Sequence, residues 1–126
     1  MAPQVLARLL WVRCRDVGEA LKAADVLLRD PNFPLVVIDL KGNPAAQLRR
    51  IPSSTWHRLS RLSEHNGGSV LFITPYPLVS GTACRIEWRS RLGVDSMDEP
   101  GPSVCSRLSW NVTRSTEQTQ RHHRAG

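Results

Sequence analysis

The residue whose type and position best suit chemistry is Asp39, near the end of an apolar run over residues 33–40. This run has no polar face, which is typical of a strand buried on both sides of a parallel sheet. Open parallel sheets bind their ligands outside the carboxyl ends of the strands. The sequence therefore predicts a strand that presents Asp39 at such an edge. The competing interpretation is an Asp that hydrogen-bonds to the adjacent loop.

A second candidate is a basic surface. Seventeen Lys and Arg residues exceed eleven acidic residues, which gives a formal net charge of +6, and all but two of the basic residues are Arg. Arginine suits the recognition of phosphate and carboxylate groups. Four arginines around the second predicted helix form a candidate basic binding face: Arg49, Arg50, Arg58 and Arg61. Such a face could make a weak nucleic-acid contact, and the alternative is a solvated surface without a ligand.

The other reactive side chains form no catalytic or metal-binding pattern. His57 and His65 lie eight residues apart on the second predicted helix, too far to share one metal ion. The three cysteines are widely spaced and include no C-x-x-C pair. They predict neither a zinc site nor a disulfide framework. We therefore expect no catalytic residue, no bound metal and no cofactor.

The elements that position these residues alternate between strand and helix over the first two-thirds of the chain. Residues 8–15 are predicted as the first strand, and residues 17–29 as an amphipathic helix capped by Asp16. The apolar run with Asp39 is the second strand. A helix over about residues 53–65 and a third strand over residues 69–74 follow. This order indicates an α/β fold with three parallel strands and crossover helices.

The last third of the chain predicts an antiparallel hairpin. Residues 82–89 and 103–113 alternate between apolar and polar side chains, which indicates half-exposed strands joined by a long acidic loop. Trp88 and Trp110 are expected to face each other across these strands. Residues 114–126 lack periodicity and apolar groups, so we expect a disordered basic tail. The α/β domain itself is expected to span residues 1–113.

The sequence also bears on location and partners. No apolar run approaches the ~20 residues that a membrane helix needs, and the N-terminus lacks the features of a signal peptide. We therefore expect a cytoplasmic protein without a membrane contact. A sheet of only three parallel strands leaves an exposed edge. A protein partner or a second copy of the chain should cover it, so homo-oligomerisation through this edge is an expectation.

The succession of elements resembles the C-terminal part of a RecA-like core. The resemblance is to the ImuA proteins and, more distantly, to the SulA division inhibitors, and it is carried by Leu9-Leu10-Trp11-Val12, Glu19-Ala20-Leu21 and the Arg49-Arg50 pair. It covers about residues 8–113 and implies a truncated RecA-like three-layer fold. In catalytic RecA-like proteins the second strand carries the Walker B acid, and Asp39 occupies the corresponding position.

One motif of catalytic RecA-like proteins does not occur in this sequence. A P-loop requires G-x-x-x-x-G-K-[ST], whose backbone amides cradle phosphates, and neither Lys22 nor Lys41 follows a glycine-rich loop. Asp39 is therefore expected to be vestigial, and the chain is not expected to be an enzyme. The resemblance then implies a non-catalytic accessory protein of the SOS response to DNA damage. Its partner would be a translesion polymerase complex or the recombinase filament.

Two alternatives stay open at this point. A SulA-like inhibitor of the division protein would also act by binding another protein. A C-terminal fragment of a RecA-like ATPase would instead have its nucleotide loop on a missing upstream segment. Protein binding that is insensitive to salt would favour the accessory protein or the SulA-like inhibitor over a nucleic-acid contact.

Overall fold

The computed structural model describes residues 3–115. The chain divides into two compact units, Met1–Gly81 (unit 1) and Thr82–Gly126 (unit 2), and each is described by itself. The described helices of unit 1 are α1 (Pro3–Leu6), α2 (Val17–Leu28), α3 (Ala45–Leu48) and α4 (Ser53–His65). Its described strands are β1 (Leu35–Asp39) and β2 (Ser69–Ile73).

The two long helices of unit 1 begin and end where local signals predict. Asp16 accepts a hydrogen bond on Oδ1 from the backbone N–H of Glu19 at 2.9 Å. The Glu19 carboxylate accepts one from the backbone N–H of Arg15 at 2.9 Å, so the chain entering α2 is held from both sides. At the other helix, Asn66 is the C-cap of α4, and Gly67 follows at φ 66°, the left-handed conformation of a glycine C-cap.

The strands of unit 1 form a parallel pair with helices on one face. Leu35 lies opposite Ser69 and Asp39 lies opposite Ile73. α2 packs on β1, α4 packs on β2, and the two helices pack on each other. The buried hydrophobic residues between these elements are Val17, Ala24, Leu28, Val36, Ile38, Leu40, Leu48, Trp56, Leu59 and Val79. The largest, Trp56, is 1% exposed and lies edge-on to Phe72 with a 5.4 Å distance between ring centroids.

Two predictions about this sheet are wrong. Residues 9–14 form neither helix nor strand, so the strand predicted over residues 8–15 does not form, and β1 pairs only with β2 in the described part of the chain. β1 is also not buried on both sides. Val36 and Ile38 face the helices, whereas Leu35 and Val37 are 56% and 50% exposed. The described helices cover one sheet face only, so residues 3–81 contain two parallel strands in two layers rather than three strands in three.

Unit 2 contains the predicted antiparallel pair. β3 (Cys84–Trp88) pairs with β4 (Trp110–Ser115), with a 3-10 helix (Val94–Asp98) and α5 (Gly101–Ser106) between them. The second strand begins later than predicted because a proline in the first turn of α5 favours helix there. β4 continues to Ser115, so the first two residues of the predicted tail belong to a strand. Residues 116–126, the rest of that predicted tail, lie outside the described residues.

Candidate binding surfaces

Asp39 lies at the carboxyl end of β1, as its position in the apolar run predicts. Its side chain is on the sheet face that the helices leave open, and its Oδ1 accepts a hydrogen bond from the backbone N–H of Lys41 at 3.0 Å. This bond turns the chain out of the strand. Among residues 3–115, no three His, Cys, Asp or Glu side chains come together as a group that could hold a metal ion. The described contacts of Asp39 are therefore those of a turn.

Arg58 is joined to α2 by an ion pair that the sequence analysis did not anticipate. Its Nε donates to Oδ1 of Asp25 at 3.0 Å, and Arg29 donates from Nε to Oδ2 of the same carboxylate at 3.0 Å. The pKa of Asp25 is lowered from its ordinary value, chiefly because Arg58 donates to the carboxylate, with a further contribution from Arg29 against the effect of burial. Arg58 thus ties α4 to α2, and part of its charge is neutralised.

Arg58 and Arg61 line one surface groove along α4, which we call the α4 groove. Its volume is about 720 Å³, and its lining residues are Ser54, His57, Arg58, Arg61, Leu62 and His65. No carboxylate belongs to this lining. Arg49 and Arg50 follow α3, are exposed, and do not line the groove. The structure therefore brings together two of the four arginines proposed as a basic face, and one of these two is already paired with Asp25.

One side of the strand pair in unit 2 is apolar. Trp88 lies opposite Trp110, which confirms the predicted cross-strand pair, and Ile86 lies opposite Val112. Residues directly opposite each other in an antiparallel pair share a face of the sheet. We call this set of four residues the hairpin face. All four are exposed, Trp88 by 61% and Trp110 by 39%.

The other side of the same strand pair is polar. With its amide oxygen turned toward Arg89, Asn111 accepts hydrogen bonds from that guanidinium at 3.1 and 3.2 Å. Glu87 lies 3.9 Å from the same guanidinium in an exposed ion pair. The strand pair therefore has one hydrated face and one apolar face, although none of residues 82–113 is buried.

Unit 1 has an apolar surface that the sequence analysis missed. Its members are Leu35, Val37, Leu71 and Ile73, on the side of the β1–β2 sheet opposite the helices, and we call it the open sheet face. The apolar run over residues 33–40 predicts cover on both sides of β1. An apolar run indicates that a strand favours burial on both faces. It does not indicate whether the surface that covers each face comes from the same chain or from another one. No local sequence signal distinguishes the two cases.

Within residues 3–115, each helix falls short of the length and apolar character that a membrane crossing requires. Comparison with known proteins finds no matching family model, no matching curated protein and no matching solved structure.

Proposed function

We propose that this chain is a non-catalytic protein-binding module and that the hairpin face is the surface that contacts its partner. The observation that carries the proposal is the exposure of Trp88, 61%, directly opposite the exposed Trp110. Exposed contiguous apolar patches with polar surroundings mark interaction sites on soluble proteins. Tryptophan is also enriched among the residues that dominate binding energy at protein interfaces.

The surroundings of the hairpin face support the same interpretation. Its strands carry charged residues on the reverse side, Glu87 and Arg89, which keep that side hydrated. A partner that covers the apolar side would meet two flat aromatic rings flanked by the aliphatic Ile86 and Val112. This is the composition of an interface core with a polar rim.

The nature of the partner follows from the resemblance to ImuA proteins, and it is part of the proposal. The module would be an accessory protein of the DNA-damage response that binds a translesion polymerase complex or the recombinase filament. Its non-catalytic character rests on the sequence, since neither lysine follows a glycine-rich loop. The hydrogen bond from Lys41 to Asp39 is consistent with it, because that carboxylate already serves a turn.

The test is a binding series against purified translesion polymerase complex and purified recombinase filament from the same source, measured by biolayer interferometry. Trp88→Ser and Trp110→Ser should each weaken binding at least about tenfold, because each removes an aromatic anchor. Met97→Ser is the matched control, since Met97 is 82% exposed in unit 2 but lies outside the strand pair. Wild-type affinity in both tryptophan variants would refute the hairpin face as the contact.

A calorimetric titration with ATP and Mg²⁺ tests the non-catalytic part of the proposal separately. We expect no heat of binding from the wild-type chain or from Asp39→Asn. Binding that weakens in the Asp39→Asn variant would make Asp39 a magnesium ligand and would replace the proposal with the ATPase alternative.

A second candidate function is contact with a phosphate backbone through the α4 groove, favoured by its lining of two arginines and no carboxylate. Fluorescence anisotropy with a single-stranded oligonucleotide at several salt concentrations would test it. Arg61→Ala should reduce the salt dependence by about one phosphate contact, whereas Arg91→Ala, an exposed arginine of unit 2, should leave it unchanged. Equal slopes of log affinity against log salt concentration for the wild type and Arg61→Ala would exclude the α4 groove as the nucleic-acid contact.

A further inference from the structure

Residues 9–13, which we call the N-terminal segment, have the composition of a strand and lack the pairing of one. Leu9, Leu10, Trp11 and Val12 are all exposed, Trp11 by 76%. In the described part of the chain, no backbone hydrogen bond reaches residues 10–14. Four consecutive apolar side chains exposed to water are unfavourable. Strand addition to a sheet edge would bury part of this apolar surface and would pair the backbone groups with another strand.

A strand edge that could pair with this segment lies in the same unit. Among the described residues β1 pairs only with β2, so the outer edge of β1 is open. A two-stranded sheet is also the smallest and least stable kind. The open edge therefore favours one more strand.

The side chains of the segment fit one register along β1. With Leu9 placed opposite Leu35 in a parallel pair, Trp11 lies beside Val37 and Arg13 lies beside Asp39. The alternation then places Leu10 and Val12 on the face that the helices cover. A shift by one residue would move Arg13 to that covered face, so this register is the favoured one.

The charges at the end of this alignment are complementary. Neither Arg13 nor Asp39 forms an ion pair with another described residue. Opposite charges on adjacent strands stabilise their pairing, and like charges destabilise it. Arg13 thus marks where the segment would end on the strand, beside the carboxylate at the end of β1.

We propose that two copies of this chain exchange their N-terminal segments, each segment pairing in parallel with β1 of the other copy. The segment is joined to α2 through Cys14 and Arg15, just before a helix start that Asp16 and Glu19 fix. In the structure it does not pair with its own β1. A reciprocal exchange gives a closed two-fold dimer, and short connections favour such swapping. The proposed exchange involves unit 1 alone, so its test is independent of the role proposed for the hairpin face.

Sedimentation equilibrium of the full chain over a concentration series, in reducing buffer, tests the proposal with a charge exchange. The wild type should form dimers. R13D places two acidic groups together at each of the two cross-copy positions, and D39R places two basic groups together there. Each variant alone should have a dimer dissociation constant at least about tenfold higher than the wild type. Arg91→Asp, the same change in unit 2, should dimerise normally.

The decisive measurement is an equimolar mixture of R13D and D39R. In a mixed dimer both cross-copy positions join opposite charges again, so the mixture should recover wild-type association that neither variant shows alone. Circular dichroism of each variant checks that it is folded. A monomeric wild type, a dimer that R13D does not weaken, or a mixture no better than its components would each overturn the exchange. The last result would instead indicate pairing within one chain.

Discussion

The tryptophans of the two units differ in what surrounds them. Trp56 in unit 1 is 1% exposed and lies between α4 and the sheet, against Phe72. Trp88 and Trp110 in unit 2 lie opposite each other in a strand pair, and none of residues 82–113 is buried. The same residue type thus stabilises a core in one unit and forms a surface in the other. Burial, rather than composition, separates the residues that hold this fold from those available for recognition.

Trp56→Ala should have the largest effect on the stability of the chain. It removes a fully buried aromatic side chain and leaves a cavity between α4 and β2, which costs about 3–5 kcal/mol. Urea unfolding followed by far-UV circular dichroism would measure this loss. Trp56→Phe should lose clearly less, because the ring is partly replaced. A change below about 1 kcal/mol for Trp56→Ala would mean that unit 1 does not depend on this core.

Asp16→Ala should have an intermediate effect, also confined to unit 1. The substitution removes the side-chain acceptor for the N–H of Glu19 at the start of α2. Loss of such a cap costs about 1 kcal/mol. Asp16→Asn serves as the control, because its side-chain oxygen can still accept the bond. Equal loss in both variants would show that the charge, not the cap, matters.

The Asp25 ion pairs make a smaller and pH-dependent contribution. Because the pKa of Asp25 is lowered in the folded chain, its stabilisation is present above the ordinary pKa of Asp, about 3.9, and is lost as the pH falls through the lower folded value. Asp25→Asn should therefore reduce stability by about 0.5–1 kcal/mol at neutral pH. The difference from the wild type should vanish in strong acid. Urea midpoints at several pH values would measure it, and a difference independent of pH would contradict the assigned cause.

Trp88→Ala should have the smallest effect on stability and so gives the sharpest contrast with Trp56→Ala. The Trp88 side chain is mostly in water already, and exposed substitutions usually change stability by no more than about 0.5 kcal/mol. The same urea experiment measures it. A loss comparable to that of Trp56→Ala would mean that the hairpin face is covered by the chain itself in solution, which would undermine its assignment as a binding surface.

Local signals made most of the elements predictable. The Asp16 cap, the helical spacing of α2 and α4 and the glycine after Asn66 lie within a few residues of the structures they specify. The sequence predicts a loop through Pro100 and Pro102 and does not predict α5, because proline is typical both of loops and of the first turn of a helix.

Long-range partners were not predictable in the same way. Arg58 and Asp25 lie 33 residues apart, and no spacing rule joins them. The apolar residues 9–12 predict a strand with a buried centre, but in the structure they are exposed, and a single sequence does not identify a surface that would bury them. The open sheet face was missed for the same reason. The candidate surfaces of this chain are therefore the places where apolar side chains that favour burial are not covered by other described residues.

The parallel pairing of β1 with β2 sets the order in which unit 1 can fold. Each β1 residue pairs with a β2 residue that lies beyond α3 and α4 in the chain, so this sheet cannot form from local contacts. The conformational entropy lost on closing that loop opposes folding until the long-range contacts form. Once α4 has formed, fewer flexible residues remain in that loop, so less conformational entropy is lost when it closes. Substitutions that weaken α4 should therefore slow folding, whereas substitutions in interactions that form later should mainly speed unfolding.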